Sequence, residues 1–80
     1  MKTETMYEEY RMKMCEAVKR MNDFAETKDI ARNHVNYGRA TAFQMMLVDF
    51  GHMIDLRVYG DSDYLVSDKI FIDGKEVKMR

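Results

Sequence analysis

Eighty residues, 46% hydrophobic and 34% charged, make one domain near the lower size limit for an unaided core, well away from the disordered class. A net charge of −1 argues against a nucleic-acid or membrane binder driven by bulk electrostatics. The single cysteine, Cys15, allows no internal disulfide, Lys2, Glu4, Glu8 and Glu9 interrupt any signal-like apolar run, and no apolar stretch approaches bilayer length, so a cytoplasmic protein is expected.

Thr5-x-x-Glu8 has the spacing of a capping box, in which a hydroxyl and a carboxylate satisfy the first amides of a helix. Behind it Tyr7, Tyr10, Met14, Ala17, Met21 and Phe24 recur at spacings of three and four, which predicts a core-facing helix over about 5–26. Glu9, Arg11, Lys13, Glu16, Lys19 and Arg20 decorate its other sides as a solvated face. Glu26 to Asp29 is a polar break short enough to join antiparallel helices, with Thr27 or Asp29 capping the second.

The second helix is predicted over about 29–51, with Gly51 as its left-handed stop. At about 100° per residue, Ile30, His34, Tyr37, Thr41, Met45 and Val48 form one apolar stripe, expected against the first helix. Phe43, Met46, Leu47 and Phe50 form a second, which turns polar towards the N-terminus as Arg39, Asn36 and Arg32. This helix should therefore be covered on two sides at its C-terminal end only, with the polar extension left for a partner. Gly38, among Ala31, Ala40 and Ala42, reads as a close-packing point within it.

After residue 52 the period changes to two. Ile54, Leu56 and Val58 alternate with Asp55 and Arg57, predicting a strand over about 53–58. Tyr59–Asp68 reads mainly as a loop, with strand resuming in the region 64–72. Asp73-Gly74 is a type I′ hairpin signal leading into a strand over about 75–79. The fold class is α+β: a two-helix antiparallel hairpin followed by a small two- or three-stranded antiparallel sheet packed on the second helix, with Phe43, Met46, Leu47 and Phe50 covering its apolar face.

The core composition is unusual, since nine methionines and nine aromatics accompany only Leu47, Leu56 and Leu65. Methionine fills irregular gaps in a plastic interior, and it also makes adaptable binding surfaces. One Cys and two His in three separate places give no zinc spacing and no nucleophile–base pair. Asp61-Ser62-Asp63 begins like a calcium loop but has Leu65 and Val66 where an oxygen ligand and the turn glycine belong. Neither catalysis nor a cofactor is expected.

Two surface features remain. Arg32, Asn36 and Arg39, with Asn33 adjacent, line one side of a helix and offer donors and acceptors for carboxylates or phosphates. Tyr59, Asp61, Asp63 and Tyr64, with Asp68 beyond, interleave acids and tyrosines in a way that can imitate nucleic acid. The opposite signs of the two features make a homodimer worth testing.

The segment Ala31-Arg32-Asn33-His34-Val35-Asn36-Tyr37-Gly38-Arg39-Ala40-Thr41-Ala42-Phe43, running into Asp49-Phe50-Gly51-His52, resembles small accessory reading frames of bacteriophages and prophages of Gram-positive hosts. The resemblance implies an accessory protein that binds and blocks a host protein or nucleoprotein, a class to which inhibitors of CRISPR nucleases belong. The expectation is a non-enzymatic protein-interaction module. The alternatives are a small dimeric nucleic-acid-binding regulator using the Arg/Asn face and a structural subunit of a phage particle; no membrane partner is expected.

Overall fold

The computed structural model describes residues 2–78, and the side chains from Thr5 to Lys78 except that of Asp61. Two helices, α1 (Lys2–Glu26) and α2 (Ile30–Asp49), precede three strands, β1 (Ile54–Asp61), β2 (Tyr64–Ile72) and β3 (Lys75–Glu76). The strands form one antiparallel sheet in the order β1-β2-β3. The fold is thus α+β, a helical hairpin with an antiparallel sheet packed on it.

Local chemistry explains most boundaries. α1 starts at Lys2, so Thr5 and Glu8 lie within its first turns and do not cap it. Asp29 caps α2, its Oδ1 accepting from the Arg32 amide at 3.1 Å. At the other end Gly51, at φ +97°, closes a Schellman turn: the His52 amide donates to Leu47 O at 3.1 Å and the Gly51 amide to Val48 O at 2.9 Å. Asp73 and Gly74 both take positive φ, as a type I′ turn requires. β3 is shorter than expected, although the Val77 amide still donates to Ile70 O at 2.8 Å; Met79 lies outside the described residues.

The expected loop from Tyr59 to Asp68 is mostly strand. β1 continues to Asp61 and pairs with Tyr64 across Ser62-Asp63, with Ser62 at φ +61°. A serine rarely adopts that conformation, so the turn carries no glycine or asparagine to announce it. Pairing runs Arg57↔Lys69 and then Val58↔Ser67, which makes Asp68 the extra residue of a β-bulge. Ile72 and Ile70 are buried on one side of the bulge and Ser67 on the other, while Asp68 and Lys69 are both exposed.

The core is Met14, Val18 and Met21 of α1, Ala40 and Leu47 of α2 and Ile70 and Ile72 of β2, with Cys15 and Ala17 beside them. The orientation of α2 differs from the expected one. Ile30, His34, Met45 and Val48 of the first stripe are exposed, Met45 by 66%. The buried residues of α2 are Asn33, Asn36, Ala40 and Leu47, a face rotated towards the polar side. Ala40 and Ala17, both buried, allow close helix approach, and Asn33 tolerates burial because it bonds to backbone. In the second stripe only Leu47 is fully covered. Phe43 and Phe50 instead lie beside Tyr10 of α1, with ring centroids 5.9 and 5.8 Å apart, and Met46 and Phe50 remain exposed. The helix continues through Gly38, where an added Cβ would meet nothing within 4 Å, so glycine is not a packing point inside this chain.

Candidate functional site

The residues named from sequence divide into four groups. Asn33 belongs to the interior, fully buried: its Nδ2 donates to Met21 O at 2.7 Å and Leu65 O at 2.8 Å, and its Oδ1 accepts from the Leu65 amide at 2.9 Å. A partner-binding role for Asn33 is therefore corrected to an internal one. Asn22 of α1 does the same two residues along β2, donating to Ser67 O at 2.8 Å and accepting from the Ser67 amide at 2.9 Å. Two amide side chains thus stand where a neighbouring strand would, satisfying the β2 edge beyond the short β3. Arg32 is exposed and turned to its own helix end, 3.4 Å from Asp29 and 5.8 Å from the Phe24 ring.

The acidic segment is dispersed. Asp63 sits in the β1–β2 turn, its carbonyl accepting from His34 Nε2 at 2.9 Å. Asp68 is at the bulge, five residues further along an extended strand, or about 16 Å. Lys28 lies over the half-buried Tyr64 ring at 5.2 Å, and Asp55 is paired with Arg57 at 3.2 Å. Tyr59 is exposed on β1; the Asp61 side chain lies outside those described. The described side chains of this segment do not form one compact acidic surface.

Asn36 and Arg39 do come together, with residues of α1 whose spacing alone predicts a solvated face. Between the helices lies an open groove of about 270 Å³, lined by Lys13, Glu16, Ala17 and Arg20 from α1 and by Asn36, Arg39 and Phe43 from α2. Lys13, Ala17 and Arg20 are spaced i, i+4, i+7, matching Arg32, Asn36 and Arg39 on the antiparallel neighbour, so equivalent turns face one another. Glu16 pairs with Arg20 at 3.4 Å and Lys13 with Glu9 at 3.4 Å, while Lys13 Nζ also lies 5.9 Å from the Phe43 ring. Among the described residues no hydrogen bond or ion pair engages the Arg39 guanidinium.

Asn36 is 4% exposed, and its Nδ2 donates to Arg32 O at 2.8 Å. That bond fixes which end of the amide is oxygen, and Asn36 Oδ1 is buried with no hydrogen-bond partner among the described residues. Such an orphan costs about 1–3 kcal/mol. The groove therefore combines three cations, one acid, an aromatic edge and an unsatisfied acceptor in its wall: a surface suited to binding an anionic group that carries a donor nearby.

Among the described residues no three His, Cys, Asp or Glu side chains are placed to hold a metal. Cys15 is buried, and burial pushes its thiol pKa up, opposite to what a nucleophile needs. The hydrogen bond from His52 Nδ1, at 2.8 Å, and a second from the Met53 amide hold the Asp73 carboxyl below its usual range, and the pair fastens the sheet to the end of α2. Among the described residues no helix is long and apolar enough to cross a membrane. The chain matches no protein-family model, no curated protein and no solved structure.

Proposed function

We propose that this chain is a non-enzymatic protein-interaction module, phage-encoded as the resemblance of residues 31–52 implies, that binds and modulates or inhibits a host protein or nucleoprotein. Its binding element is the groove between α1 and α2, and the segment it takes is acidic. The observation that carries this reading is the unpartnered, buried Asn36 Oδ1 in a wall shared with Lys13, Arg20 and Arg39. A peptide segment carries a side-chain carboxylate and a backbone N–H within a few ångströms of each other, and a turn of the buried Asn36 side chain towards the groove lets Oδ1 accept from that N–H. Phosphate diesters carry the anion without the donor, which favours a protein segment over a nucleic-acid backbone.

The test is selection from a random peptide display library on the wild-type protein, with Arg39→Glu as the counter-target. Enriched sequences should be rich in Asp and Glu and should lose binding to Arg39→Glu; enrichment without acidic residues refutes the groove reading. Asn36→Ala adds a second readout. It removes the orphan along with one local bond, so the free protein should keep its stability to within about 1 kcal/mol while peptide capture weakens. A fluorescent single-stranded oligonucleotide that binds the same groove, and does so less as salt rises, would transfer the site to a nucleic-acid partner.

A further inference from the structure

The two edges of the sheet are treated differently. Beyond β2 lies β3, followed by the Asn33 and Asn22 side chains at Leu65 and Ser67. The opposite edge is β1, eight residues long, and among the described residues no backbone hydrogen bond beyond its ladder with β2 engages Ile54 to Gly60; the one side-chain bond there, Arg57 to Asp55 at 3.2 Å, stays within the strand. Neither lysine nor proline blunts that edge, and a strand so exposed is a template for another strand.

The sequence around Leu56 is complementary to itself. Antiparallel pairing of β1 with a second β1, centred on Leu56, puts Asp55 opposite the second copy's Arg57, Ile54 opposite its Val58, and Met53 opposite its Tyr59. Met53 and Tyr59 are respectively 77% and 51% exposed in the single chain. Neighbouring registers that keep the apolar face on one side are worse. Centring on residue 55 sets Asp55 against itself, centring on residue 57 sets Arg57 against itself, and centring on residue 58 sets Asp55 against Asp61. Like charges directly opposite destabilise a ladder.

A second uncovered surface points the same way. Of the two helices, α2 comes near β1 as well as β2 whereas α1 packs on β2, although the first turns of α2, at Asn33, reach the far edge of β2. Its flank away from α1 carries Ala31, Val35, Gly38, Ala42 and Met45, all exposed, with Val35 at 54%. Small residues at 31, 38 and 42 let a second helix approach closely, which gives the mid-helix glycine a reason that the single chain lacks. A two-fold axis normal to the sheet at Leu56 keeps the helices of both copies on the same side of the joined sheet, where this flank is free to meet a second copy. The chain exposes 5592 Å², against about 5,000 Å² for a compact monomer of its 9.5 kDa mass.

We infer that two copies assemble through antiparallel β1–β1 pairing about Leu56, fusing two three-stranded sheets into one of six strands, with the α2 flanks packed across the same axis. The occupant of the open edge is a second copy of this chain because the charges match in that register. This interface lies on a different face from the cationic groove, so either can fail without the other.

Light scattering coupled to gel filtration reads the result directly. The wild type should have twice the 9.5 kDa chain mass, and Asp55→Arg and Arg57→Asp should each raise the dissociation constant at least about tenfold by placing like charges opposite one another. Mixing these two single variants should restore association, because each then meets its complement on the other chain. Restoration by mixing cannot arise from the Asp55–Arg57 contact within one chain. Ala42→Arg, on the helix flank, should also give monomers with the helical content unchanged. A wild type that keeps the single-chain mass at hundreds of micromolar overturns the inference, as does a mixture that stays monomeric.

Discussion

Asn33 shows how one side chain can decide the tertiary arrangement. Its three hydrogen bonds tie the last turns of α1, the first turns of α2 and the start of β2. Asn33→Ala leaves the Leu65 amide and carbonyl short of partners in the interior and removes a further bond to Met21 O, which keeps its place in the helix ladder, so unfolding by urea should show a loss of about 3 kcal/mol. Asn22→Ala, half-buried and with two such bonds, should lose less. Asp73 governs the acid limb. Bonds from His52 and from the Met53 amide favour its carboxylate, so its pKa is lower folded than unfolded. That contribution is fully present above the unfolded carboxylate value and is lost as pH falls through the folded one. Asp73→Asn should flatten the loss of stability in acid, and a carboxyl NMR titration of Asp73 should fall below the usual aspartate range. A normal titration there would remove the explanation.

The elements were legible where local geometry restricts residue choice. Gly51 is placed by a left-handed turn, Asp73-Gly74 by a type I′ turn and Asp29 by the orphan amides of a helix start. Gly51→Ala at φ +97° should cost about 1 kcal/mol by thermal unfolding. The Ser62 turn lacked such a marker, and the bulge at Asp68 made an acid on an ordinary strand look like part of a loop. Removing Asp68 leaves Lys69 outward and Ser67 inward in regular alternation, so the deletion should fold with stability within about 1 kcal/mol of wild type; loss of the sheet would mean that its twist depends on the extra residue. The facing of α2 was not legible at all. Polarity located Asn33 and Asn36 at a surface, yet an amide that finds backbone partners can be buried, and the apolar residues on the other flank stay outside. Of the candidate groove, Asn36 and Arg39 were visible from their spacing. Lys13 and Arg20 were not, because i, i+4 ion pairs with Glu9 and Glu16 resemble ordinary helix decoration and only the antiparallel packing sets them opposite Asn36.

At the scale of the whole molecule, Cys15 is a built-in reporter of stability. It lies in the core beside Met14 and Val18, and burial both hides the thiol and raises its pKa, so little reactive thiolate is presented at neutral pH. Reaction with a disulfide reagent must await opening of the helix–sheet interface, which involves most of so small a core. For a domain of this size the opening free energy is at least about 4 kcal/mol, so labelling of the native protein should be roughly a thousandfold slower than of the unfolded chain. Asn33→Ala should shorten that protection in proportion to its measured loss of stability. Pairing through β1 adds a concentration term, since a second copy that binds only the folded chain stabilises it by mass action. Cys15 protection in the wild type should then rise with protein concentration, while in Asp55→Arg it should be independent of it. Equal concentration dependence in both would place the coupling somewhere other than the β1 edge.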